Sequence, residues 1–248
     1  MIAKFQSILV FGFCILGTTF VNASSRHGSS CANLPNRCSL YATNIENTIA
    51  SNDGHARSKS GSLAMNEVTM SQDRFWELIG RSTEYEADPA RQLEALKQTL
   101  FELSPAELEA FERAFQREQL RAYTWKLWGA AYVMHGGASD DGFEYFQRWL
   151  ISKGREIFEA AISDPDSLAD MLADDTQGPC EFEEFAYVAS SVWQEKTGIN
   201  PWEDSQGRFP YTGAPPADNP SGIQFKEDPD FLAKEYPKLW ARFGTSPL

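Results

Sequence analysis

Residues 104–137 read SPAELEAFERAFQREQLRAYTWKLWGAAYVMHGG, and this stretch decides the fold class. It opens on Ser104-Pro105-Ala106-Glu107, the sequence of a capping box with proline at the first helical position. The serine hydroxyl and the glutamate carboxylate can satisfy each other's backbone amides, and the ring presets the helical φ. Leu108, Phe111 and Phe115 then recur at helical spacing. The apolar pattern runs on through Tyr123, Trp125, Leu127, Trp128 and Tyr132, with a break expected near residues 119–122. Gly136-Gly137 stops it. Helix punctuation of this kind, with apolar residues three and four apart, predicts amphipathic helix.

The same grammar extends in both directions. Upstream, Ser71 caps a helix carrying Phe75, Trp76, Leu78 and Ile79; Asp88-Pro89 starts another with Leu93, Leu96 and Leu100 on one face. Downstream, Ser139 caps a helix with Asp140 and Asp141 in its first turn, where negative charge complements the helix dipole. Phe143, Phe146, Trp149 and Leu150 face inward, and Gly154 bends or ends that helix before Ile157, Phe158 and Ala161. Asp164-Pro165 begins a short helix with Leu168, Met171 and Leu172, and Phe182 to Trp193 forms another, closed by Gly198. Residues 199–227 are rich in Pro, Gly and Asp and read as irregular before a last helix from about Pro229. No alternating strand pattern competes. The expectation is an all-α fold, one compact bundle of about seven helices over residues 70–248.

Residues 1–69 are a different kind of chain. Lys4 and the apolar run Ile8–Leu16, with Val21-Asn22-Ala23 at a cleavage position, have the layout of a secretory signal peptide over residues 1–23. The apolar run is too short to span a bilayer. Residues 24–69, rich in Ser, Asn, Gly and Ala, read as a flexible linker in which Cys31 and Cys38 could pair after export. Use of the leader would make the protein secreted or periplasmic; translation from Met65 or Met70 would make it cytoplasmic.

The 248-residue chain has 22 Lys and Arg against 35 Asp and Glu, a net charge of −13. Residues 1–69 hold five basic and three acidic side chains, which leaves −15 on residues 70–248. That balance argues against phosphate-backbone binding and against an anionic membrane surface. It favours a protein partner with a basic surface.

Tyr123 to Arg155, including Trp125, Trp128, Gly136-Gly137, Ser139-Asp140-Asp141 and Trp149, resembles the signature of a bacterial family known as domain of unknown function 4240. Arg74-Phe75-Trp76, Leu103-Ser104, Phe158-Glu159-Ala160-Ala161, Asp164 to Leu168 and Phe185 to Ala189 resemble it in order. The resemblance covers about residues 70–200, with Leu239 to Phe243 like its closing helix near 229–243. It implies membership and no activity. This sequence has His135 and Ala138 where the family more often has Asn and Cys, so a chemistry needing a thiol at 138 is absent here.

Two functional readings follow. In the first, the domain is a non-catalytic interaction or regulatory module. Its acidic surface and aromatic groove are formed by Trp125, Trp128, Gly136, Gly137, Ser139, Asp140, Asp141, Trp149 and Arg155, with Tyr145 a further candidate for the groove wall. Arg148 and Arg155 are expected to pair internally with Asp140, Asp141 or Glu144. No cofactor is expected. In the alternative, a metal-assisted hydrolase holds a divalent cation on Asp140, Asp141, Glu144 and His135, since carboxylates suit hard cations and imidazole suits zinc or iron. A Ser139–His135 nucleophile lacks the strand–turn–helix elbow such chemistry uses, and Cys180, beside Glu181 and Glu183, is not expected to be a reactive thiolate. An antitoxin-like acidic protein is a third reading, resting on charge alone.

Overall fold

In the computed structural model, residues 68–174, 176, 178–210 and 219–248 are described. The leader, the linker to residue 67 and the Cys31–Cys38 loop lie outside them. The described residues hold ten α-helices: α1 (Gln72–Gly80), α2 (Pro89–Phe101), α3 (Pro105–Ala122), α4 (Trp125–His135), α5 (Asp140–Ser152), α6 (Arg155–Ser163), α7 (Leu168–Met171), α8 (Val188–Thr197), α9 (Pro229–Glu235) and α10 (Pro237–Phe243). Three 3-10 turns, Thr83–Tyr85, Pro165–Ser167 and Glu183–Tyr187, join them. No strand occurs among the described residues, so the all-α expectation holds. None of their helices is long and apolar enough to cross a membrane.

Ten helices replace the expected seven because three long runs divide. Thr124 is extended (φ −130°, ψ 144°) and its hydroxyl accepts from Leu127 N, so α3 and α4 are separate helices. Gly154, at φ +87°, separates α5 from α6. Pro237 has no amide hydrogen to donate and forces Tyr236 away from helical geometry, which separates α9 from α10.

The expected caps form. Ser71, Asp88 and Ser139 each accept a backbone N–H from the first turn of their helix, and Asp228 does the same before Pro229, where only a helix start was expected. Ser104 and Glu107 make the reciprocal capping box. Each such cap is worth about 1 kcal/mol.

The helices bury one continuous apolar core. Phe75 meets Phe111 at 5.2 Å between ring centres, and Trp76 meets Phe158 at 4.9 Å. Helix α3 packs on α8, α2 also rests on α8, and α4 packs against α10. Each large side chain so buried contributes about 1.5–3 kcal/mol before the entropy of ordering is subtracted. The result is a fixed platform for α4 and the turn that follows it.

An aromatic ledge on α4 as the candidate functional site

Trp125 and Trp128 are three residues apart and therefore share a face of α4. Their rings stack at 5.2 Å with an interplanar angle of 14°. Trp128 stacks in turn on Phe143 of α5 at 4.8 Å and 11°, and Tyr123 reaches the same phenyl ring at 6.2 Å. Phe143 is buried, while both tryptophans are only partly buried, so the stack begins in the core and ends at the surface as a ledge.

The Gly136-Gly137 turn is fixed from three sides. Gly136 is left-handed (φ +67°), and a Cβ there would also meet Pro247 at 2.8 Å. Gly137 N donates to Tyr132 O at 2.9 Å. Trp128 Nε1 donates to Ala138 O at 3.0 Å, which ties the loop back onto α4. Ser139 Oγ accepts from Gly142 N at 3.1 Å, and Asp140 and Asp141 stand exposed in the first turn of α5.

The four residues of the alternative cation set are not gathered into one centre. His135 Nε2 accepts the Cys180 amide at 3.1 Å, so its proton sits on Nδ1, which is buried with no partner among the described residues. Burial lowers the His135 pKa and keeps the ring neutral. Glu144 pairs with Arg148. No group of three His, Cys, Asp or Glu side chains among the described residues is placed to hold a metal ion.

Arg148 pairs internally, as expected: besides Glu144, its guanidinium donates to Glu183 O at 3.2 Å and lies over the rings of Tyr145 and Tyr187. Arg155 does not join the turn. It pairs with Asp73 of α1 at 2.7 Å and lines a cleft with Arg117, Leu120, Arg121 and Glu159. Trp149 is 7% exposed, a core residue with Lys153 over its ring. Beside it, Gln92, Ser152, Lys153 and Cys180 line a cavity of about 440 Å³. Desolvation pushes the Cys180 thiol up to about 12, so no thiolate serves that cavity at neutral pH.

The sequence reading missed the residues that complete the ledge from the far end of the chain. Phe225 lies 6.3 Å from the Trp125 ring and 5.3 Å from the Tyr132 ring. Ser221 N donates to Tyr123 O at 3.0 Å, and Trp125 N donates to Ser221 O at 2.9 Å. Tyr132 OH donates to Glu227 at 3.2 Å, and Leu248 N donates to Met134 O at 2.8 Å. Phe225 is one of two phenylalanines in the Pro-, Gly- and Asp-rich stretch 199–227, and nothing local sets it apart from Phe209.

No curated protein and no solved structure matches the chain. Residues 70–195, from just before the Ser71 cap into α8 and so including the whole α4 ledge, match the model of the family described as Protein of unknown function (DUF4240), and with just over half of its length matched the chain belongs to that family.

Proposed function

We propose that the domain is a non-catalytic binding module that holds a protein segment on the α4 ledge. The observation that carries this reading is the Trp125–Trp128 pair, stacked at 5.2 Å and only partly buried above a buried phenyl ring. Rigid aromatic surface of this kind gives large contact area at little cost in side-chain entropy, which is why tryptophan dominates binding hot spots. The polar groups beside it are already engaged: Ser139 as a cap, His135 by an amide, Glu144 by an arginine. That favours a contact surface over a reaction centre.

The net charge of −15 on residues 70–248 steers a partner with a basic surface, raising its encounter rate more than its final affinity. The test is partner capture by the full chain, compared with Trp125→Ala and with the double variant Asp140→Asn/Asp141→Asn. Trp125→Ala is expected to weaken capture by about 2 kcal/mol or more with helical content unchanged. The double variant is expected to slow association and flatten its salt dependence. Capture indifferent to Trp125 overturns the reading.

A further inference from the structure

The α3–α4 junction leaves an unusual pair of backbone groups. Trp125 is the first residue of α4, so its N–H has no partner within the helix, and Tyr123 O is left over at the end of α3. The extended residue Thr124 lies between them, which makes the junction a one-residue strand edge. Ser221 pairs with both groups, forming an isolated parallel bridge with Thr124. Phe225, four residues on, then seats its ring between Trp125 and Tyr132.

The segment that does this is lightly held. Ser221, Gly222, Ile223, Gln224 and Lys226 are exposed, and Ile223 is 92% exposed. Among the described residues it is held by two backbone hydrogen bonds, the half-buried Phe225 ring, which also lies against Gly129, and the Tyr132–Glu227 contact, with the buried Pro220 next to it in the chain. It also lies beyond residues 70–195, whereas the ledge it covers lies within them.

We infer that the ledge is a peptide-docking site occupied here by the chain's own Ser221–Glu227, and that its external ligand is an extended segment of a partner protein carrying one aromatic side chain. This rests on the binding reading above and names its ligand. The backbone pair at Tyr123 and Trp125 supplies sequence-independent affinity, as in strand addition, and the gap between Trp125 and Tyr132 selects the aromatic ring. Because the resident strap is tethered, its effective concentration is of the order of millimolar, so it holds off weak competitors and yields to tight ones.

The experiment uses the full chain and a synthetic decapeptide with the sequence of residues 219–228, NPSGIQFKED. Phe225→Ala removes the seated ring, and Ser221→Pro removes the donor to Tyr123 O and serves if the first variant loses the fold. Either change is expected to speed hydrogen exchange of the Trp125 amide at least tenfold, while Ile223→Ala leaves it unchanged. The peptide is expected to bind an opened chain at least tenfold more tightly than it binds the unaltered one, read by tryptophan fluorescence. The same peptide with alanine in place of its phenylalanine is expected to bind at least tenfold more weakly. Unchanged Trp125 exchange in both opening variants makes the strap a fixed part of the fold and overturns the inference. Absence of binding to an opened chain, or binding indifferent to the ring, also overturns it. If the peptide fails while partner capture still depends on Trp125, only the choice of ligand falls; if capture ignores Trp125 as well, the binding reading falls with it.

Discussion

A Cβ on Gly129 would lie 2.3 Å from the Tyr236 hydroxyl, and that hydroxyl donates to Lys126 O at 2.8 Å. Helix α4 therefore meets the C-terminal helices backbone to ring, at a spacing only glycine allows. Tyr236 is 1% exposed, and burial raises its phenol pKa, so it stays a neutral donor at any ordinary pH. The contact joins the family-matched residues to α9 and α10, which lie outside the match, and it packs α4 against α10 within the same core.

Gly129→Ala is expected to destabilise the protein by about 1–3 kcal/mol, the usual range for an added methyl in a filled site. Tyr236→Phe alone is expected to cost about 1 kcal/mol through the lost hydrogen bond. The phenylalanine removes the nearest atom, so the two changes together should cost less than their sum by about 0.5 kcal/mol or more. Urea denaturation of the four proteins measures this, and strict additivity would count against the steric contact.

Asp166 provides a cap that no local pattern announces. Asp166 is 6% exposed, and its carboxylate accepts from Lys238 N at 3.1 Å and Leu239 N at 2.9 Å, in the first turn of α10. Tyr236, at the head of that helix, supplies no side-chain cap of its own. Asp166→Ala is expected to cost about 1–2 kcal/mol, and Asp166→Asn, which keeps one acceptor oxygen, distinctly less. Equal losses in urea midpoint for the two variants would rule out the capping role.

The distance over which a signal acts explains what the sequence conveyed. Ser71, Asp88, Ser104, Ser139 and Asp228 cap residues three positions away, so the start of each helix was legible from a few letters. Thr124 acts just as locally, and the break expected near residues 119–122 falls at the observed end of α3, although the aromatic pattern runs on across it. Asp166 caps a helix some seventy residues on, and Phe225 seats against rings about a hundred residues back; neither leaves a local trace. The candidate site divided for a related reason. Trp125, Trp128, Trp149 and Arg155 are close in sequence, but α5 carries Trp149 into the core and the turn at Gly154 sends Arg155 to α1.

Cys180 is buried, and its thiol is pushed up to about 12. At about pH 8 an ordinary thiol is substantially ionised, whereas this one is almost wholly protonated and shielded. The expected outcome is that iodoacetamide leaves the Cys180 peptide unmodified in the native protein and alkylates it fully in guanidinium. Peptide-resolved mass spectrometry separates it from Cys14, Cys31 and Cys38. Rapid native-state alkylation at Cys180 would mean that the cover over its thiol opens readily.

The acid response of the fold should carry a component from His135. Burial sets its folded pKa below the ordinary value of about 6.5, so between the two values the unfolded chain binds more protons. Stability therefore rises with pH across that window; above it the ring is neutral in both states and imposes no penalty. Glu77, Glu107 and Glu159 are shifted down by their hydrogen bonds to Arg74 and Arg81, Ser104, and Arg121, so their stabilising contribution is lost only below the ordinary glutamate range. The histidine response thus begins at higher pH than the glutamate one. His135→Asn keeps a side-chain acceptor for the Cys180 amide and does not titrate. Thermal melting of the parent protein should fall between about pH 7.5 and about pH 5, and the variant should lose clearly less over the same interval. An identical drop in both would show that the neutral imidazole under the Gly136 turn is not what acid disturbs.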